Sequence, residues 1–201
     1  PGVLTKTYSN ITGTSQKVTK VYDGTTSTSS STFGNVAVTS ANGLSSNVNV
    51  VLSNKTYTYG SKDSGNSNVV SADSAYTITS ASHSRHGNVY GLVASSTAKT
   101  INNAQISQKP ISLTGTRNYD GTASVDSSDL TVSNFIGSET VTLSGSGSLS
   151  SADVQSNSGL SSTSGLSLED GSGGGLASNY TLTGGSQSVS VTKRPVRISG
   201  S

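Results

Sequence analysis

His83 and His86 are the chain's only imidazoles, and the spacing His-x-x-His in "SHSRHG" could set both on one metal ion. A closed zinc site needs two further ligands. Neither a carboxylate nor a cysteine stands beside them, so the pair reads as part of a solvated serine-rich loop. The same gap leaves a general base without its partner. Hard cations want clustered oxygens. Asp126 and Asp129 in "VDSSDL", and Glu169 and Asp170 in "LEDGSGGG", come nearest, and neither pair follows a calcium-loop spacing. They read as turn acids, with an inter-module calcium as the alternative. Serines abound, but an activated serine needs a base and a group to orient it. No G-x-S-x-G, G-x-G-x-x-G or P-loop pattern occurs. The expectation is no enzyme and no cofactor. Three sequons begin at Asn10, Asn54 and Asn179, a number that chance supplies in a chain this rich in Asn, Ser and Thr.

The motif that does stand out is structural. Tyr22-Asp23-Gly24-Thr25 recurs as Tyr119-Asp120-Gly121-Thr122, 97 positions later (119 minus 22). Asp-Gly favours a type I′ hairpin turn, which needs positive φ at both central residues. Asp also accepts hydrogen bonds from backbone two residues on. The tyrosine before each turn is expected to cap the core with its ring and leave its hydroxyl at the surface.

Composition says which elements must hold these turns. Hydrophobic residues are 30% and charged residues 11%, both well below ordinary globular usage. A disordered chain would couple low hydrophobicity to high net charge, and here the net charge is only +2. Ser, Thr, Gly and Asn take up the difference. Thr favours strands, while the others suit turns. Methionine is absent and glutamate occurs only at 139 and 169, so helix formers are scarce. An all-β protein follows. The absence of tryptophan argues against a stacking platform for sugars or bases. The densest basic cluster, "KRPVR" at 193–197, is too short for a nucleic-acid footprint and reads as a solvated strand edge. No stretch approaches the ~18 apolar residues of a membrane span. The expectation is a monomer with neither a nucleic-acid partner nor membrane insertion. The chain opens at Pro1 without a leader and reads as an excised fragment.

Further repeats recur in the same order at shorter offsets. "VVLS" (50–53) answers "VTLS" (141–144), "NVYGLVA" (88–94) answers "NYTLTGG" (179–185), and "SQKPISL" (107–113) answers "TKRPVRI" (192–198). Pro110 and Pro195 each precede a short β-like run, as Pro1 does. Proline lacks the N–H of a ladder and suits strand starts and edges. Both prolines are therefore read as module junctions. The predicted modules are 1–108, longer and divergent, and 109–194, with 195–201 opening the next module or forming a terminal strand. Period-2 alternation marks strands in "NVNVVLSN", "ETVTLSGSG" and "QSVSVT", with "GNVAVTS", "AYTITSAS", "ISLTGT" and "NYTLT" as further candidates. Turn clusters such as "SKDSGNSN" (61–68) and "EDGSGGGLAS" separate them. The expected fold is two tandem Ig-like β-sandwich modules. The alternative is a β-grasp-like module carrying a short helix around "SSADV" (150–154).

With these residues in view, the chain resembles the YDG repeat of large bacterial surface adhesins, relatives of filamentous haemagglutinin exported by two-partner secretion. The resemblance rests on "KVYDGTT", "NVVLS" and "QKPISL" in the first module. In the second it rests on "RNYDGTASV", "VTLSG", "SSADV", "ASNYTLTG" and "VTKRPV". The first departs from the pattern at "HGNVYGLV" and in the long segment before Tyr22. The resemblance implies a stalk of tandem repeats, secreted or on the cell surface, that supports adhesion or biofilm contacts. Its implied partners are neighbouring modules, an outer-membrane translocator and host or matrix glycan. The cysteine-free composition suits a substrate that crosses a membrane unfolded. A rival reading is a binding module that contacts glycan, ice or a like fibre through Thr-, Asn- and Tyr-rich faces.

Overall fold

The computed structural model describes residues 8–14, 18–29, 31–33, 37–39, 48–52, 57–72, 78–83, 87–88, 92–94 and 100–198. It is built of β-strands, with two single-turn 3-10 segments, Ser127–Asp129 and Ala177–Asn179, among the described residues. The chain divides into two compact units, 1–107 and 108–201.

The first unit contains β1 (Tyr8–Thr14), β2 (Val18–Val21), β3 (Thr32–Phe33), β4 (Ala37–Thr39), β5 (Val48–Leu52) and β6 (Tyr57–Tyr59). β7 (Gly65–Ala72), β8 (Ile78–His83), β9 (Gly87–Asn88), β10 (Leu92–Ala94) and β11 (Thr100–Ser107) complete it. Its main sheet has the order β3-β2-β11-β7-β6. β2 and β11 run parallel, from Val18 opposite Ala104 to Val21 opposite Ser107. Val18, Ala104 and Ile106 bury their side chains on its inner face. The turn expected over 61–68 is half strand. Gly65–Asn68 belongs to β7, which is held between β6 and β11. The weak strand propensity of Gly-Asn-Ser-Asn is overridden by pairing with β11, where Gly65 lies opposite Ile106 and Asn68 opposite Ala104.

The second unit contains β12 (Lys109–Pro110), β13 (Ser112–Asn118), β14 (Ser124–Asp126), β15 (Leu130–Ser133), β16 (Val141–Ser148), β17 (Gln155–Ser158), β18 (Leu166–Asp170), β19 (Tyr180–Thr181) and β20 (Gln187–Thr192). A four-stranded sheet has the order β15-β13-β20-β17, and a three-stranded sheet has β14-β16-β18. The first long strand, β13, and the last, β20, are parallel neighbours in the middle of the four. Parallel neighbours need a long crossover. Here the connection runs through the three-stranded sheet. Residues 150–154 form a bend, not the helix of the β-grasp-like alternative: Ser151 Oγ donates to Asp153 and accepts the Asp153 amide. Short polar side chains compete with helix for backbone partners in this way.

Alternation dictates the packing. In β20, Val189 and Val191 point inward and join Val125 and Leu149, with Leu130 and Leu160 packed against them. In β13, Leu113 points inward and Thr114 and Thr116 outward. Ile111, Leu166 and Tyr180 extend this core. Residues 193–198 are exposed and outside any strand, so "KRPVR" is solvated without being a strand edge.

Candidate functional site

Lys20 in β2 and Arg117 in β13 both carry their charge into the unit's interior. Each stands three residues before the aspartate of a Tyr-Asp-Gly-Thr turn. The Lys20 ammonium donates to Asp23 Oδ1 at 2.6 Å, the Thr25 carbonyl at 2.7 Å and the Ser27 carbonyl at 2.9 Å. Those three acceptors match its three hydrogens. It also lies 5.0 Å from the centre of the Tyr59 ring, within cation–π range. Arg117 Nη1 donates to Asp120 Oδ1 at 2.7 Å and Nη2 to the Thr122 carbonyl. Its buried Nε has no acceptor among the described residues.

The aspartate is the hub on the other side. Asp23 Oδ1 accepts the Thr25 amide at 3.0 Å and hydroxyl at 2.9 Å, and Asp120 Oδ1 accepts those of Thr122 at 2.8 and 2.9 Å. These bonds lower the pKa of Asp120 to about 2, the Thr122 amide contributing most and Arg117 next. A carboxylate so committed is a poor general base near neutral pH. Gly24 and Gly121 take φ of 76° and 86°, a region that glycine enters freely. Neither aspartate has positive φ, so the turn is not type I′. Nor is it a hairpin in the second unit, because β14 leaves β13 for the other sheet.

Each turn is fastened to its own unit's last strand in the same way. The Tyr22 amide donates to the Ser107 carbonyl at 2.8 Å, and Ser107 Oγ returns a bond to the Lys20 carbonyl at 3.1 Å. The Tyr119 amide donates to the Thr192 carbonyl at 2.8 Å, and Thr192 Oγ1 returns one to the Arg117 carbonyl at 3.2 Å.

The tyrosine rings differ. Tyr22 is 1% exposed, and its hydroxyl accepts a bond from Lys62 at 3.2 Å. Tyr119 is 39% exposed, so the ring expected to cap the second core does not. Tyr180 fills that role, edge-on to Phe135 at 5.6 Å, its hydroxyl donating to Glu139 at 2.7 Å and accepting the Ile136 amide at 3.1 Å. Burial raises the pKa of Tyr59, with a bond to Ser31 opposing and the Asp23 charge assisting.

A second feature lies on the outer face of the four-stranded sheet, an open groove of about 570 Å³. Cross-strand register sets its floor: Thr114 is flanked by Thr131 and Ser188, and Thr116 faces Ser190. Asn157, in a bulge of β17 with φ of 52°, closes one side by bonding Ser188 and Ser190. Asp129 closes the other, and its carboxylate has no hydrogen-bond or ion-pair partner among the described residues. Gly115 lets the chain at Asp129 approach, since a Cβ there would collide with the Asp129 carbonyl.

The remaining sequence-derived residues scatter. Pro110 lies in β12, paired with Thr181, and Pro195 is in the exposed segment after β20. His83 ends β8 opposite Val48, while His86 and Asn54 lie outside the described residues. Asn10 is in β1. Asn179 is fully buried, which leaves no room for a glycan in the folded unit. Glu169 accepts Ser144 Oγ and Asp170 the Ala177 amide, while Asp126 is exposed beside the first 3-10 turn. Sequence reasoning missed Lys20 and Arg117 as functional positions. The available signal was a basic residue at the same offset from both turns.

A YDG domain is found at residues 97–189, where the family model matches. The match begins just before β11 of the first unit and stops inside β20 of the second, so the family's frame is offset from the compact units by about one strand. Neither a curated protein nor a solved structure matches the chain.

Proposed function

We propose that the YDG domain and the unit before it are structural repeat modules in the stalk of a secreted or cell-surface bacterial adhesin, with spacing and support, not catalysis, as their work. The observation that carries this reading is the duplicated turn: the same buried cation, aspartate and last-strand bonds recur in both units. A device repeated for holding shape suits a repeat array in which each module supports its neighbours. The partners on this reading are adjoining modules and the translocator of the parent protein, and the chain itself is a monomer.

The junctions are read at Pro110 and Pro195, with a further module opening at 195. "ISLTGT" (111–116) and "VRISGS" (196–201) agree in type at every position but the second, which is polar in both. Ile111 and Leu113 are 1% exposed in the core, whereas Val196 and Ile198 are 86% and 94% exposed. Within all-β, the parallel central pair β13 and β20 favours a β-grasp-like strand order, without its helix, over the Ig-like sandwich.

The test is competition. The purified chain, added in excess, is expected to leave adhesion of cells bearing the parent protein unchanged, while deleting these modules from the parent weakens adhesion by shortening its reach. Block of adhesion by the purified chain would instead favour the second reading, a glycan-binding module. The groove supports that reading through the uncommitted Asp129 carboxylate beside Thr116 and Thr114. Its lining of hydroxyls, an amide and a carboxylate offers hydrogen-bond partners to the hydroxyls of a sugar.

A further inference from the structure

We infer that the second unit is a tension-bearing clamp, in which the ladder between β13 and β20 takes load from the unit's two ends in shear. The chain comes in through β12 and β13 and leaves directly after β20. The two strands pair without interruption from Leu113 opposite Gln187 to Asn118 opposite Thr192. Because they are parallel, the incoming end at Leu113 and the outgoing end at Thr192 lie at opposite ends of one ladder. Five residue steps at ~3.3 Å separate them by about 17 Å along the strand.

Pulling the ends apart therefore drags one strand along the other. Every ladder bond is strained together, and none can open alone. Had the chain entered and left at the same end of the ladder, the bonds would open in turn. A backbone hydrogen bond contributes only ~1 kcal/mol net. A peeling force meets such increments singly, while a shearing force meets their sum.

The ends are reinforced at the points of load. Where the chain leaves, the Tyr119 amide holds the Thr192 carbonyl, and Thr192 Oγ1 holds the Arg117 carbonyl and Asn118 Oδ1. The Arg117–Asp120 bridge fixes the turn that presents that amide. Where the chain comes in, β12 pairs parallel with β19, and the Ile111 and Leu113 amides donate to Thr181 and Ser186. β15 and β17 flank the clamp, so both of its strands are interior to the sheet. Leu113, Val189 and Val191 close its inner face to water.

The chain contains no cysteine, so pairs of introduced thiols define where force is applied. Gln108→Cys with Lys193→Cys loads the ladder from opposite ends. Tyr119→Cys with Lys193→Cys loads it from one end. All three positions are exposed. In single-molecule pulling of the full chain at one loading rate, the 108/193 pair is expected to unfold at roughly twice the force of the 119/193 pair, forced unfolding being set by the barrier. The first step should release 85 residues (193 minus 108), about 300 Å of extended chain. The unsubstituted chain, tethered at its termini, should show a high-force step of matching length, so the result does not hang on the substitutions. Equal forces for the two pairs at the wild-type urea midpoint, or unfolding of the unsubstituted chain at the low force of the 119/193 pair, would overturn the clamp.

Discussion

The two Tyr-Asp-Gly-Thr turns keep the same polar skeleton and exchange everything else. Lys20 satisfies its three hydrogens with two carbonyls and an aspartate, whereas Arg117 spans the same acceptor types and leaves Nε without a partner. Tyr22 is inside and Tyr119 half outside. The part that persists is the bonding of cation, aspartate and last strand. The part that varies is the ring, whose packing duty passes to Tyr180 in the second unit. The motif is thus a polar lock first and a hydrophobic cap only where the neighbouring chain leaves room.

The tyrosines offer the widest contrast. Tyr22→Ala should destabilise the first unit by about 3–5 kcal/mol, as expected for emptying a large buried aromatic site. Tyr119→Ala should cost the second unit less than about 1 kcal/mol, as at an exposed position. Urea unfolding followed by NMR signals of each unit measures both. Similar losses would erase the distinction between cap and lock.

The cations come next. Lys20→Met leaves two carbonyls and an aspartate without their donor and should cost about 2–4 kcal/mol. Arg117→Met should cost less, because it also removes an unpartnered buried donor and because Asp120 is open to water. The same unfolding experiment ranks them, and the reverse order would mean that Nε is satisfied in solution.

Tyr180→Phe sharpens the comparison further. It removes the hydroxyl shared by Glu139 and the Ile136 amide and should cost the second unit about 1–2 kcal/mol. The first unit's thermal transition should not move.

The smallest effects are in pH dependence, and they have opposite signs. Asp120, lowered to about 2, stabilises the second unit above the ordinary carboxylate range near 4, and this is lost as pH falls toward 2. Tyr59 is raised, so its contribution to the first unit is complete below about pH 10 and is lost as pH rises through its folded value. Amide spectra at the two extremes should show the second unit losing stability in acid through Asp120 and the first in alkali through Tyr59. Asp120→Asn should flatten the acid limb of the second unit alone.

How much of this could be read from the chain follows from the range of each interaction. The Asp-to-Thr bonds span two residues and are encoded locally, so they were legible, whereas the type I′ geometry read from Asp-Gly is not the one adopted. β16 and β20 were legible because Val and Leu alternate with Ser and Thr against a one-sided core. β7 was not, since its first four residues look like a turn and are made strand only by partners far away in sequence. Lys20 and Arg117 were not legible as buried cations because burial of a cation depends on acceptors that the turn assembles. Eight tyrosines carry no mark of which ring is inside, so Tyr119 and Tyr180 could not be told apart. The groove combines four strands and a bulge, none of which the outward Ser and Thr positions announce singly.

The claim beneath all of this is that each turn locks its own unit to its own last strand. Hydrogen exchange at the Tyr22 and Tyr119 amides tests it most directly, in the parent chain and in Lys20→Met and Arg117→Met. The expected result is that Lys20→Met speeds exchange at Tyr22 and leaves Tyr119 protected, and that Arg117→Met does the converse. Equal loss at both amides in either variant, or loss at neither, would contradict it.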